Sequence, residues 1–207
     1  MKSGLVSCAA AALAVASCSH AQEPQAASGA DAKAARPDAV AAFETVRAVL
    51  QSPRCVNCHP AGDQPLQGDD SHIHLQFVQR GPEGRGVPGL ACATCHGKAN
   101  PPASYGEHMP PGVSEGWRLP PPERRMVFFG VSSHDLCEQI KDTKRNGGKD
   151  AAALLHHMSE DAITLWGWAP GYGRKPVPIP HDEFVQAFKT WQDAGSPCAP
   201  PKTAKNP

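Results

Sequence analysis

Apolar residues recur at helical spacing in four stretches of the chain. Val40, Phe43, Val46 and Leu50 mark the first, which Asp38 can cap and Ser52-Pro53 ends. Ser133 can cap a second, carrying Leu136 and Ile140. Asp150 opens a third, with Leu154, Leu155 and Met158 on its apolar side. The last runs from about His181 to Ala194, buries Phe184, Val185, Phe188 and Trp191, and stops at Gly195. Between the first and second, from Cys55 to about Leu119, periodicity is weak and turn-forming residues are frequent. Trp166-Gly167-Trp168-Ala169-Pro170-Gly171 reads as a turn, followed by a proline-rich segment to Pro180. The pattern predicts a mainly α fold with long irregular loops.

Composition sharpens the problem this poses. With 22 prolines, 19 glycines and only 6% aromatic residues, the loop half lacks the side chains to build its own core. Something else must fill it. The 20 basic and 20 acidic residues balance, so no nucleic-acid surface is indicated.

The irregular half holds two short stretches that supply the missing component. Cys55-Val56-Asn57-Cys58-His59 and Cys92-Ala93-Thr94-Cys95-His96 are both C-x-x-C-H. This spacing lets two thiols add to the two vinyl groups of one haem while the adjoining histidine binds the iron. Gly81-Pro82-Glu83-Gly84-Arg85-Gly86 is glycine-rich, but it follows no strand and opens no helix, so it reads as a loop and not a phosphate cradle. The rival reading of the cysteines is a four-thiolate zinc site. Zinc gains nothing from a histidine after each pair, and zinc ribbons leave about 15 to 20 residues between pairs, whereas residues 59 to 91 intervene here. Two haem c groups are therefore expected, bound through Cys55, Cys58, Cys92 and Cys95, with His59 and His96 as iron ligands. Cys58 and Cys95 are only 37 positions apart (95 minus 58), so both haems must share one domain.

The other axial ligands are less sharply marked. Both motifs continue as C-x-x-C-H-x5-P, reaching Pro65 and Pro102, and each is followed by a candidate at similar distance. His74 comes 15 residues after His59, and Met109 comes 13 after His96. The expectation is His59 with His74 and His96 with Met109. His72 and His108 are their immediate competitors. His157, or its neighbour His156, is the alternative from the third helix, where adjacent residues point about 100° apart and at most one can face a given haem.

The remaining cysteines place the chain outside the cytoplasm. Lys2 and the apolar run from Leu5 to Ala16 form an export signal too short to span a bilayer. Residues 1–17 are read as a signal of the lipoprotein type, with Cys18 lipidated, because Val15-Ala16-Ser17-Cys18 resembles a lipobox; cleavage after Ala21 is the competing reading. Residues 18–36 follow as a disordered linker, 37–199 as the haem domain and 200–207 as a tail. Cys137 and Cys198 are left over, and in an oxidising compartment they are expected to pair.

Beyond the haem motifs, several segments carry a family resemblance. Cys55-Val56-Asn57-Cys58-His59-Pro60 with Pro65-Leu66-Gln67-Gly68-Asp69-Asp70, Arg80-Gly81-Pro82, Met109-Pro110-Pro111-Gly112, Asn146-Gly147-Gly148 and Trp166-Gly167-Trp168 are similar to small exported di-haem cytochromes often labelled after isoquinoline 1-oxidoreductase. The resemblance covers roughly Val40 to Cys198. It implies a di-haem cytochrome c-like domain in the periplasm, accepting electrons from partner proteins, a molybdenum hydroxylase among them, and held at the membrane if Cys18 carries lipid. No pattern for molybdopterin, flavin or an iron–sulfur cluster accompanies it, so the chain reads as a carrier. The alternative class is a peroxidase-like enzyme with one five-coordinate haem.

Overall fold

The computed structural model describes residues 36–201. The segment read as an export signal, Cys18 and nearly all of the expected linker lie outside these residues, as do residues 202–207. Helix α1 (Pro37–Leu50) begins at Arg36, because Pro37 takes the first helical position, where its missing N–H costs nothing. Asp38 thus sits in the first turn, favourable for the helix dipole, and is not the cap. A single turn, α2 (Pro53–Val56), carries Cys55. The cap of α3 (Ser133–Lys141) is likewise one residue earlier than the pattern suggests: the Ser132 hydroxyl accepts from the Asp135 N–H at 3.1 Å. Asp150 caps α4 (Ala151–Ser159) as expected, accepting from the Ala153 N–H at 2.9 Å. Helix α5 (Ala162–Leu165) runs into a 3-10 turn at Trp166–Trp168, a short helical passage that the glycine and proline there obscure in the sequence. Helix α6 (His181–Asp193) closes the set.

Helices α1, α3, α4 and α6 build one apolar core. Phe184, Phe188 and Trp191 of α6 are wholly buried, and Trp191 meets Phe43 of α1 with ring centres 5.0 Å apart. Burying a side chain of this size contributes about 2 to 3 kcal/mol, so this contact anchors the helical half. A disulfide joins Cys137 of α3 to Cys198. The tail is secured around it: the Trp191 indole donates to the Pro197 carbonyl at 3.0 Å, and His134 donates to the Ala199 carbonyl at 2.7 Å.

The irregular half forms a second layer. Its regular structure is two small antiparallel hairpins. β1 (Leu66–Gln67) pairs with β2 (His72–Ile73), Leu66 opposite Ile73; β3 (Gly86–Val87) pairs with β4 (Leu90–Ala91), Gly86 opposite Ala91. What holds the rest is Arg80, which is 1% exposed. Its guanidinium donates to the carbonyls of Gly62 and Pro120 and to Asp63 Oδ1, joining segments far apart in sequence. The glycine-rich loop after it serves close backbone approach. Gly84 has φ +73°, and a Cβ there would lie 2.0 Å from the Leu119 carbonyl oxygen.

Candidate functional site

The first C-x-x-C-H motif leaves α2 directly. The His59 N–H bonds back to the Cys55 and Val56 carbonyls, so the turn brings both cysteines and the histidine to one side. The His59 ring is set by residues far downstream. Its Nδ1 donates to the Met126 carbonyl at 2.7 Å, and the ring stacks on Phe128, centres 3.9 Å apart and planes 10° from parallel. The Phe128 N–H in turn donates to the His59 carbonyl. Gln139 of α3 fixes this strap by bonding both the N–H (2.9 Å) and the C=O (2.7 Å) of Val127. Met126 takes a left-handed conformation, φ 44°, which a residue with a long side chain adopts only where its surroundings compel it.

Cys55, Cys58 and His59 open onto a cavity of about 500 Å³. Its inner wall is apolar, with Leu50, Phe128, Leu154 and Met158 belonging to the helical core as well. Its charged lining is mostly basic: Arg54, Arg85, Arg118, Arg124 and Lys149 against Glu83, Glu123 and Asp161. Crowding by protein pushes the thiol of Cys55 up to about 12 and that of Cys58 up to about 11, so both are neutral thiols, not thiolates. Burial likewise lowers His59 to about 4, leaving a neutral imidazole with its proton on Nδ1.

The second motif follows β4 as a 3-10 turn, with Cys95 exposed. His96 repeats the arrangement of His59: its Nδ1 donates to the Pro111 carbonyl at 2.8 Å, and its ring stacks on an aromatic, Trp117, at 4.8 Å and 3°. Gly112, next to Pro111, is pressed on the motif so tightly that a Cβ would lie 2.3 Å from the Ala99 carbonyl oxygen. Trp117 meets Trp166 edge to face at 4.9 Å, and both also line the first cavity. Trp117 therefore belongs to both sites. Asn100 accepts from the Trp166 indole (3.0 Å) and the Gly112 N–H (3.3 Å), tying the two together. Arg54 lies over Trp166, 5.7 Å from its centre, and donates to Asp69 at 2.6 Å.

The donor set fits haem on both counts that the protein itself controls. Each motif histidine spends Nδ1 on a backbone carbonyl, which leaves Nε2 as the free lone pair and orients it, as a metal-bound histidine requires. The cavity at the first motif offers apolar walls and basic residues suited to a planar macrocycle with acidic substituents. Zinc does not fit. Among the described residues no three His, Cys, Asp or Glu side chains are gathered to hold an ion by themselves.

The candidates for the opposite ligand are distributed differently from their spacing along the chain. The motif histidine that His74 meets is His96, ring centres 6.4 Å apart, and not the His59 of its own loop. Met109 is 37% exposed and its carbonyl is held by Arg174 at 2.6 Å. His157 lines the first cavity beside His59, with Nδ1 2.5 Å from Asp161. Its neighbour His156 points to solvent, as do His72 and His108. Sequence reasoning missed the supporting residues Gln139, Met126, Phe128, Pro111, Trp117 and Asn100. Only the aromatics among them carried any signal, as scarce large side chains in a poor loop.

Comparisons with family profiles, with curated proteins and with solved structures return no match. Among the described residues no helix is long and apolar enough to cross a membrane.

Proposed function

We propose that the protein is an electron carrier with a di-haem cytochrome c-like domain, holding one haem at Cys55, Cys58 and His59 and a second at Cys92, Cys95 and His96. The observation that carries the reading is the matched treatment of the two motif histidines, each donating Nδ1 to a backbone carbonyl and each stacked on an aromatic ring. Bound there, haem supplies one-electron exchange at iron. The residues set the conditions of that exchange. Met126 and Pro111 fix the ring tautomers, Phe128 and Trp117 hold the ring planes, and the apolar wall excludes water from the first site. Trp117, shared by both sites, keeps them adjacent, which suits electron exchange within one domain.

The Cys137–Cys198 bond accords with an exported protein working in an oxidising compartment. The partners proposed are periplasmic redox proteins, with a molybdenum hydroxylase as donor, and the export signal with Cys18 would keep the carrier at the membrane. Protein made with haem-attachment machinery should show two haem additions by intact mass and negligible peroxide turnover. Zinc or no addition would overturn the reading. Sustained peroxide turnover would move it to the peroxidase-like class.

A further inference from the structure

Resting on the two-haem reading, we infer that His157 is the second iron ligand beside His59 and His74 the second beside His96. The loop that follows the first motif then serves the other haem, and Met109 serves neither.

The His74 assignment stands on distance. Metal–imidazole bonds of about 2 Å on each side, with about 1.1 Å from nitrogen to ring centre, put two rings that share a metal roughly 6 Å apart. His74 and His96 are 6.4 Å apart, at 63° between planes. The backbone of His74 is pinned, its N–H donating to the Pro65 carbonyl, yet its ring Nδ1 is buried with no hydrogen-bond partner. Gln76 is within hydrogen-bonding reach of the same ring, and the unpaired Nδ1 is a costly arrangement that a bound metal would relieve. His72, the competitor two residues earlier, is exposed and commits its Nδ1 to Asp70 at 2.6 Å.

The His157 assignment stands on placement and orientation. Helix α4 sets its ring in the wall of the cavity that Cys55, Cys58 and His59 enter, and Asp161, just past the end of α4 at the start of α5, accepts a hydrogen bond from its Nδ1. A carboxylate behind one nitrogen is what commonly fixes the other toward a metal. Met158 also lines this cavity, but it is packed into the helical core at 5% exposure.

Met109 is excluded by the side from which its segment approaches. Pro111, two residues on, occupies the Nδ1 edge of His96, which is the edge turned away from the iron-binding nitrogen. Arg174 holds the Met109 carbonyl, and two prolines follow. The segment supports the histidine from behind.

Histidine on both sides of both irons predicts two low-spin haems of similar potential, since the potential-raising thioether is missing. The decisive experiment uses holoprotein and a Cys92→Ala/Cys95→Ala variant that keeps only the first haem. In the single-haem protein, His157→Gly should convert all of the haem to high spin, with millimolar imidazole restoring low spin, and His74→Gly should change nothing. In the two-haem protein each variant should remove half of the low-spin signal and the pair should remove all of it. His157→Met should create a far-red thioether band that the wild type lacks, which keeps the test decisive if the glycine variants fold poorly. A far-red band in the wild type that Met109→Leu abolishes would overturn the assignment, as would His74→Gly converting the single-haem protein. Failure to find haem by mass would instead overturn the reading on which the assignment rests.

Discussion

Gln139 grips Val127 by both of its backbone groups, donating to the carbonyl and accepting from the N–H. The grip matters because Val127 follows Met126, whose carbonyl receives the His59 proton. A side chain in a helix thus positions a histidine 80 residues away (139 minus 59) without touching it.

Gln139→Leu should therefore cost about 2 kcal/mol, the penalty for leaving a half-buried pair of backbone groups unmatched. Urea titration of the holoprotein would measure it. A purely structural role would stop there. Loss of the Met126 bond should also shift the reduction potential of one haem and leave the other unchanged.

Arg80→Met keeps the length of the side chain and removes its donors, stranding the Gly62 and Pro120 carbonyls. The expected loss is about 3 kcal/mol. Arg80→Lys should not rescue, since one ammonium on a flexible stem cannot match a planar fork spread over three acceptors. Equal stability of the lysine variant and the wild type would contradict this account.

The two proposed haem sites should differ in their value to the fold. The first cavity shares Leu50, Phe128, Leu154 and Met158 with the helical core, whereas the second motif leaves Cys95 exposed. Cys55→Ala/Cys58→Ala should abolish cooperative thermal unfolding of the loop layer. Cys92→Ala/Cys95→Ala should lower the midpoint and leave a single sharp transition. Calorimetry on the two proteins decides between this and equal contributions.

The Cys137–Cys198 bond closes a separation of 61 residues. A chain-entropy estimate puts its contribution at about 4 kcal/mol. Cys198→Ser should lose that amount, and peptide mapping without reduction should recover the joined peptides from the wild type. Both cysteines alkylating in the folded protein would refute the pairing.

The sequence by itself determined the positions of the two motifs and the helical half. Two C-x-x-C-H units fix three adjacent functional groups each by local spacing, and four amphipathic stretches mark α1, α3, α4 and α6 because their burial is periodic. Even there the caps lie earlier than the pattern suggests, Arg36 two residues before Asp38 and Ser132 one before Ser133, since Pro37 and the Ser132-Ser133 pair each offered two starting points. Only the tertiary structure decided which histidine faces which motif. His74 lies nearer His59 along the chain, but the hairpin of β1 and β2 and the pinning of its backbone by Pro65 carry its ring to His96. His157 reaches the first cavity because α4 packs on the core that lines it. Loops such as these are held by single side chains, Arg80, Gln139 and Asn100, whose partners are backbone atoms. A backbone carbonyl is present at every residue, so no residue type marks the one that will be used. That is why the candidate histidines were legible in sequence and their placement relative to the two motifs was not.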